Sequence, residues 1–371
     1  MKILAVFAIA LFIVRLISPT IKHLGTRFGF VDQPDERKLH HQPMVRMGGV
    51  GIGIGAMLAC GVGIWTQSES ITQHHSWLTI MAMLVAGVGF FAIGLADDRW
   101  SLSPKLRLGL QAIVTCIAWA LGLQMHYLPL PGVGTVALGY GSLPITFLWL
   151  AGVTNALNWL DGLDGLAAGV SAIAALTFAM IGWQQQDLIS VLLALSLAGA
   201  SCGFLRYNAF PAQMYMGDGG SYFIGGMLAG LGILCAGNSD SFSLTAMPYV
   251  VLALPILDMV LVIGSRMLGG KSPFFPDQRH IHHRLLRLHL TKPASVVAIY
   301  LLAIWAGITA NWLLYSPWAW GNVVLLALLL TFVNRSGLQT ASTQLGPVPA
   351  AKPIVMPTPM PTVIPMVASP G

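Results

Sequence analysis

Charged residues are scarce in this chain, and their scarcity decides its class. Only 9% of the 371 residues are Asp, Glu, Lys or Arg, while 56% are hydrophobic and the mean hydropathy is +0.74. No polar stretch is long enough for a separate soluble domain. This composition is typical of an integral membrane protein.

Cysteine is scarce too, and its placement argues against a metal or disulfide framework. The four cysteines lie singly inside apolar runs, without metal-like spacing, which favours buried free thiols. The apolar runs are too long for strands and do not alternate with polar residues. This excludes a β-barrel and predicts an all-α polytopic bundle.

Eleven apolar segments are long enough to be helices, so we expect about 10–11 transmembrane spans. They are 3–20, 48–65, 77–96, 106–124, 143–160, 165–183, 188–205, 221–237, 247–267, 294–313 and 321–334. Together they form a predicted membrane domain over residues 1–335. Residues 336–371, which are rich in proline from Gly346 on, are expected to be a disordered tail.

The basic residues predict the orientation of the bundle. The loops 66–76, 125–142, 184–187, 238–246 and 314–320 contain no Lys or Arg, whereas the alternate loops are basic. The positive-inside rule then places the basic loops in the cytoplasm and the N-terminus outside. Eleven spans would leave the C-terminus inside, whereas the C-terminus would lie outside if segment 321–334 is not a true span.

The segment 154–169 between two spans is unusually polar. Asn155, Asn158, Asp161 and Asp164 recur every three residues, and a glycine follows each aspartate. Because an acid inside the bilayer costs roughly 2.5–3.5 kcal/mol, the segment is expected to be a helix end, a polar turn and the start of the next helix.

Three further polar motifs fall on the same predicted cytoplasmic side. They are Asp97-Asp98, Met216-Gly-Asp218-Gly-Gly-Ser221, and Pro276-Asp-Gln-Arg279-His280-Ile-His282-His283. Each motif alone is more often a turn or a solvated helix end. Together, carboxylates suited to a hard divalent cation and basic groups suited to phosphate point to a nucleotide diphosphate. Asp258 is the one acid predicted to lie deeper, which suggests a functional or helix-pairing role.

These four motifs resemble those of the polyprenyl-phosphate N-acetylhexosamine-1-phosphate transferases, over roughly residues 20–335. The resemblance implies transfer of a sugar 1-phosphate from a UDP-N-acetylhexosamine to a polyprenyl phosphate, with release of UMP and a requirement for Mg²⁺ or Mn²⁺. The His-Ile-His-His pattern resembles the GlcNAc-1-phosphate branch. The implied partners are the nucleotide sugar, the lipid and the membrane, with no nucleic acid and with a homodimer left open.

The resemblance also implies roles for individual residues. Asp218 would be the main metal ligand and Asn158 a second. Asp97 and Asp98 would lie at the lipid phosphate, with Asp97 as the base. The expected substrate-binding residues are Lys38, Arg46, Asn155, Asp161, Asp164, Arg279, His280, His282 and His283.

Three alternatives compete with this hypothesis. A UDP-MurNAc-pentapeptide transferase would share the chemistry and differ in the sugar. A transporter would place acids near the bilayer midplane and contain repeated halves, and the sequence shows no internal repeat. A structural scaffold would leave the four polar motifs unexplained.

Overall fold

The computed structural model describes residues 2–32, 43–67, 77–274, 279–316 and 318–344, and this part of the chain is mostly α-helical. Its helices are α1 (Lys2–Arg27), α2 (Gly48–Thr66), α3 (Trp77–Trp100), α4 (Pro104–Ala120), α5 (Ser142–Leu160), α6 (Leu166–Gln184), α7 (Leu188–Asn208), α8 (Gly217–Ala236), α9 (Phe242–Val251), α10 (Ala253–Leu268), α11 (Ile281–Arg287), α12 (Lys292–Leu313) and α13 (Ala319–Gln344). All eleven predicted spans are helical, so the prediction of an all-α bundle is confirmed.

Not every helix is long enough to cross a bilayer unaided. Among the described residues, eight helices have the length and hydropathy of a span, or nine if the bent pair α9–α10 counts as one. The helix α4 has 17 residues, and the apolar part of α13, Ala319–Val333, is also short. The chain is therefore a multi-pass membrane protein. The helix α13 continues to Gln344, and residues 345–371 of the predicted tail lie outside the described residues.

Two short antiparallel strand pairs interrupt the helical pattern, and neither was predicted from the sequence. Strand β1 (Val31–Asp32) pairs with β2 (Met44–Val45), with Val31 opposite Val45. Strand β3 (Tyr127–Leu130) pairs with β4 (Gly134–Ala137). Such short strands leave too little alternation to be recognised in the sequence.

The helices α6, α7 and α8 form the centre of the bundle and are buried on nearly all sides. The helix α1 packs against α7 so closely that Gly199 lies on the backbone of Phe7. At the end of the same contact, the hydroxyl of Tyr207 donates a hydrogen bond of 2.9 Å to the carbonyl oxygen of Arg15. The small residues of these helices permit this close approach.

Backbone hydrogen bonds join the start of α2 to the start of α8. Tyr215 N donates to Val45 O, Gly48 N donates to Tyr215 O, and Gly49 N donates to Met216 O, over 2.8 to 3.0 Å. These hydrogen bonds fix which residue at the start of α2 lies beside which residue at the start of α8. It holds Arg46, which precedes α2, beside the first turn of α8.

The predicted span 247–267 is broken at Leu252, where α9 and α10 meet at an angle of 73°. Pro255 has no backbone N–H to donate to Val251, four residues earlier, so the helix loses a hydrogen bond at this point. Because of the bend, α10 departs from the direction of α9.

Candidate active site

Three helix ends bring the sequence motifs together at one end of the bundle. Asp98 lies at the end of α3, Asn158 in the last turn of α5, and Asp218 in the first turn of α8. Arg46 reaches the same place from the segment before α2. Residues that are widely separated in the sequence thus form one cluster, called here the acid cluster.

Asp218 is held by neighbours from two other elements. Its Oδ1 accepts a hydrogen bond of 2.9 Å from Nδ2 of Asn158, and it lies 3.8 Å from a guanidinium nitrogen of Arg46. The same Asn158 nitrogen donates to Oγ of Ser221 over 3.0 Å. In this arrangement Asn158 orients the carboxylate of Asp218 and stabilises its negative charge.

Asp98 offers an oxygen that no hydrogen bond uses. Its Oδ2 accepts a hydrogen bond of 2.9 Å from the backbone N–H of Gly219. Its Oδ1 is buried without a hydrogen-bond partner among the described residues and lies 3.8 Å from Nε of Arg46, too far for a hydrogen bond. A buried carboxylate oxygen in this state is suited to binding a cation or a proton.

Asp97 differs from its neighbour because both of its oxygens are used. Oδ1 accepts a hydrogen bond of 2.8 Å from Leu102 N, and Oδ2 pairs with Arg107 at 2.6 Å. Arg107 was not among the predicted site residues, because it lies inside the predicted span 106–124 and belongs to none of the four polar motifs.

Glycines allow three helices to meet at the acid cluster. A Cβ atom on Gly94 of α3 would collide with the carbonyl of Asp218, and one on Gly49 of α2 would collide with the backbone of Gly220. The glycine-rich start of α2 is therefore a packing surface, as the sequence predicts for Gly51 and Gly55, which lie against Ile21 and Val14 of α1.

The turn between α5 and α6 has the predicted form. The helix α5 ends at Leu160, and Gly165 enters α6 with φ of +79°, a conformation that favours glycine. Asp164 Oδ2 accepts a hydrogen bond of 3.0 Å from Ala212 N. Asp161 is half-buried, and burial, together with the charge of Asp218, raises its pKa to about 7.

The raised pKa of Asp161 predicts a pH dependence of stability. A carboxyl group whose pKa rises from 3.8 to about 7 on folding stabilises the fold fully below pH ~3.8 and loses that contribution as the pH rises to ~7. In metal-free protein, the melting temperature of Asp161→Asn relative to that of the wild type should therefore rise from pH ~5 to ~7. Above pH ~7 the difference between the two melting temperatures should stay constant. Asp240→Asn, on an exposed loop, is the control. A constant difference for Asp161→Asn over the whole range would contradict this prediction.

The histidines form a second group beside the same turn. The ring of His282 is buried against Gly162, and it is parallel to the ring of His280 at 5.9 Å between centroids. His280 contacts Trp159 edge-on at 5.6 Å, and His283 lies 4.3 Å from His282. Burial lowers the pKa of His282, with smaller contributions from His283 and His280. The lowered pKa favours the neutral ring, and its Nδ1 is buried without a hydrogen-bond partner among the described residues.

The other predicted substrate-binding residues have different surroundings. Asn155 is inside the bundle, where its Nδ2 donates to Gln111 Oε1 over 3.0 Å and its Oδ1 accepts from the hydroxyl of Tyr222 over 3.3 Å. Arg279 donates to the carbonyl oxygen and hydroxyl of Ser265, each over 3.3 Å. Lys38 lies outside the described residues.

A divalent cation is compatible with the acid cluster. Within the described residues, no three His, Cys, Asp or Glu side chains are grouped closely enough to hold a metal by themselves. However, Asp98 Oδ1 and Asp218 Oδ1 both face Arg46 at 3.8 Å, and one of them has no hydrogen bond. Both are carboxylate oxygens, the type of ligand that Mg²⁺ prefers, and they lie beside the same guanidinium group.

Comparison with known proteins identifies the family. Residues 48–236, about half of the chain, match the model described as glycosyl transferase family 4. The chain belongs to this family. The matched segment of this family 4 member includes Asp97, Asp98, Asn158, Asp161 and Asp218 and ends before the histidine motif.

Curated relatives extend the match over nearly the whole chain. A probable undecaprenyl-phosphate N-acetylglucosaminyl 1-phosphate transferase of Bacillus subtilis is 33% identical over 90% of this family 4 chain and 90% of its own length. A decaprenyl-phosphate N-acetylglucosaminephosphotransferase of Mycolicibacterium smegmatis is 35% identical over 84% and 82%. A phospho-N-acetylmuramoyl-pentapeptide-transferase of Lactobacillus gasseri is 33% identical over only 65% and 76%.

Proposed function

We propose that this protein transfers N-acetylglucosamine 1-phosphate from UDP-GlcNAc to undecaprenyl phosphate, producing undecaprenyl-diphosphate-GlcNAc and UMP. This would be the first membrane step of a cell-envelope polysaccharide. The observation that carries the proposal is the acid cluster, in which Asp98 and Asp218 from different helices meet at Arg46. The B. subtilis and M. smegmatis relatives, named for N-acetylglucosamine and a polyprenyl phosphate, support the choice of sugar and class of lipid.

The chemistry requires positioning and neutralisation of charge more than covalent catalysis. An oxygen of the lipid phosphate would attack the phosphorus attached to the sugar, and the bond from that phosphorus to the UMP oxygen would break. The sequence hypothesis gave the role of base to Asp97. Because both oxygens of Asp97 are used and Oδ1 of Asp98 has no hydrogen bond, we assign to Asp98 the position beside the acceptor phosphate, where it would help to hold the cation between the two negative groups.

The metal dependence belongs to the same proposal. Asp218 and Asp98 would hold Mg²⁺ or Mn²⁺, and Asn158 would orient Asp218 by the hydrogen bond already described. When bound, the ion would neutralise the negative charge of the diphosphate. Arg46 offsets the charge of the two carboxylates, which raises the pKa of its guanidinium even though burial alone would lower it.

The membrane setting follows from the two substrates. The polyprenyl chain dissolves in the bilayer, while the sugar nucleotide arrives from the water phase. We place the acid cluster at the cytoplasmic face of the inner membrane and the N-terminus outside, because the basic loops lie at the ends of the helices that form the cluster. Acids gathered at helix ends also disfavour a transporter, in which they would lie near the midplane.

A purified assay tests the proposal. Detergent-solubilised protein, undecaprenyl phosphate and Mg²⁺ are mixed with UDP-GlcNAc, UDP-GalNAc or UDP-MurNAc-pentapeptide, and UMP release is measured. We expect UMP with UDP-GlcNAc only when both lipid and Mg²⁺ are present. If UMP is released with UDP-MurNAc-pentapeptide and not with the other two UDP-sugars, the pentapeptide branch is supported. If UMP is released without the lipid, transfer to a polyprenyl phosphate is excluded.

A further inference from the structure

Asp258 lies in the second turn of α10, apart from the acid cluster, and its side chain is buried. Its two oxygens have different partners. Oδ2 lies 2.8 Å from Nδ1 of His280, and Oδ1 accepts a hydrogen bond of 2.7 Å from the backbone N–H of Ile281. One carboxylate thus holds both a histidine ring and the first residue of α11.

The contact determines which nitrogen of His280 carries a hydrogen. An ionised carboxylate can only accept hydrogen bonds, so with Asp258 ionised the donor is Nδ1 of His280. In the neutral tautomer that makes this bond, the lone pair is on Nε2, away from Asp258. A buried carboxylate is costly in a membrane helix, and these two hydrogen bonds offset its cost.

The orientation of His280 is passed on to the site. His280 lies against Trp159, which follows Asn158 in α5, and its ring is parallel to that of His282. The guanidinium of Arg266, two turns after Asp258 on α10, lies 5.0 Å from the ring of Trp159 on another side. The helix α10 thereby packs the histidine segment against the turn that leads to the acid cluster.

We propose that Asp258 is a positioning residue, which sets the tautomer of His280 and the place of α11 so that the histidines face the diphosphate of the donor. The inference rests on the proposed function. Asp258 acts through His280 and needs no contact with substrate.

The test is Asp258→Asn, a change of one atom. The asparagine oxygen still accepts from Ile281 N, but its amide nitrogen now donates to His280 Nδ1, so the ring hydrogen moves to Nε2. We expect kcat/KM for UDP-GlcNAc to fall about 10- to 100-fold, as for other partners that orient a functional histidine, with the melting temperature retained. NMR of nitrogen-labelled histidine should show one Nδ1–H signal replaced by an Nε2–H signal, assigned by its loss in His280→Gln.

A double-mutant cycle separates positioning from general damage. In the His280→Gln background, Asp258→Asn should reduce kcat/KM less than about twofold further. Val260→Ala, on the exposed side of the same helix, is the matched control and should match the wild type. Wild-type kcat/KM in Asp258→Asn, or an undiminished loss in the His280→Gln background, would overturn the inference. A wild type that releases no UMP would instead refute the proposed function and this inference with it.

Discussion

Asp218→Asn is expected to abolish UMP release, by about 10³-fold or more, while the protein still inserts and folds. The substitution keeps the shape of the side chain and removes a charge that lies 3.8 Å from Arg46 and accepts a hydrogen bond from Asn158. Asp218 is the proposed main ligand of the cation that would neutralise the diphosphate, and losing that ion should cost at least as much as losing one hydrogen-bond donor to a transition state, about 10²–10³-fold. The measurement is UMP release at saturating Mg²⁺, with the melting temperature recorded on the same sample.

Asp187→Ala provides the comparison at the opposite ends of the helices. Asp187 precedes α7, where its carboxylate accepts a hydrogen bond of 3.1 Å from Ser190 N. Removing this cap should cost about 1 kcal/mol of stability and leave turnover nearly unchanged. Wild-type turnover in Asp218→Asn would mean that the metal site is misplaced, and a large loss in Asp187→Ala would question the orientation of the bundle.

Gly49→Ala is expected to reduce both stability and turnover strongly, although it changes no polar side chain. The added methyl would collide with the backbone of Gly220, next to Gly219, whose N–H binds Asp98. Backbone atoms cannot avoid the added methyl group by changing rotamer, so α2 and α8 would have to move apart. Such overpacking typically lowers the free energy of unfolding by about 1–3 kcal/mol. We expect a lower melting temperature and a loss of UMP release beyond what the lower stability explains.

Gly53→Ala, four residues along the same helix, is the matched control. A Cβ at Gly53 has nothing within 4 Å, and alanine favours helix by up to ~1 kcal/mol over glycine. The control should be as stable as the wild type or more so, with full activity. Equal losses in the two variants would show that the helix, and not its contact with α8, is at fault.

Much of the fold follows from the sequence because apolar length and helix are tightly linked in a membrane. The segment 154–169 became a helix end, a turn and a helix start as predicted, since two acids and two glycines leave few other arrangements. The bend at Leu252 was not predicted. Pro255 was visible, but proline is tolerated in membrane helices, and its effect depends on neighbouring helices.

The sequence predicted which residues form the candidate site better than it predicted the contacts between them. Alternate loops share one side of the membrane, so the sequence indicated that Asp98, Asp161 and Asp218 would converge. It could not distinguish Asp97 from Asp98, because Arg107 and Gly219, which decide which oxygen stays free, belong to helices that meet only in the fold. Likewise, the sequence marked Asp258 as unusual but could not pair it with His280, 22 residues away.

The contact between α1 and α7 has a consequence for biosynthesis. Arg15 of α1 and Tyr207 of α7 are 192 residues apart. The helix α1 therefore leaves the ribosome long before α7, whose Gly199 packs against the backbone of Phe7. Until α7 is made, α1 can pack only against helices made earlier, such as α2, and its surface for α7 remains uncovered. This part of the bundle is therefore completed only after α7 has been synthesised, and not helix by helix in chain order.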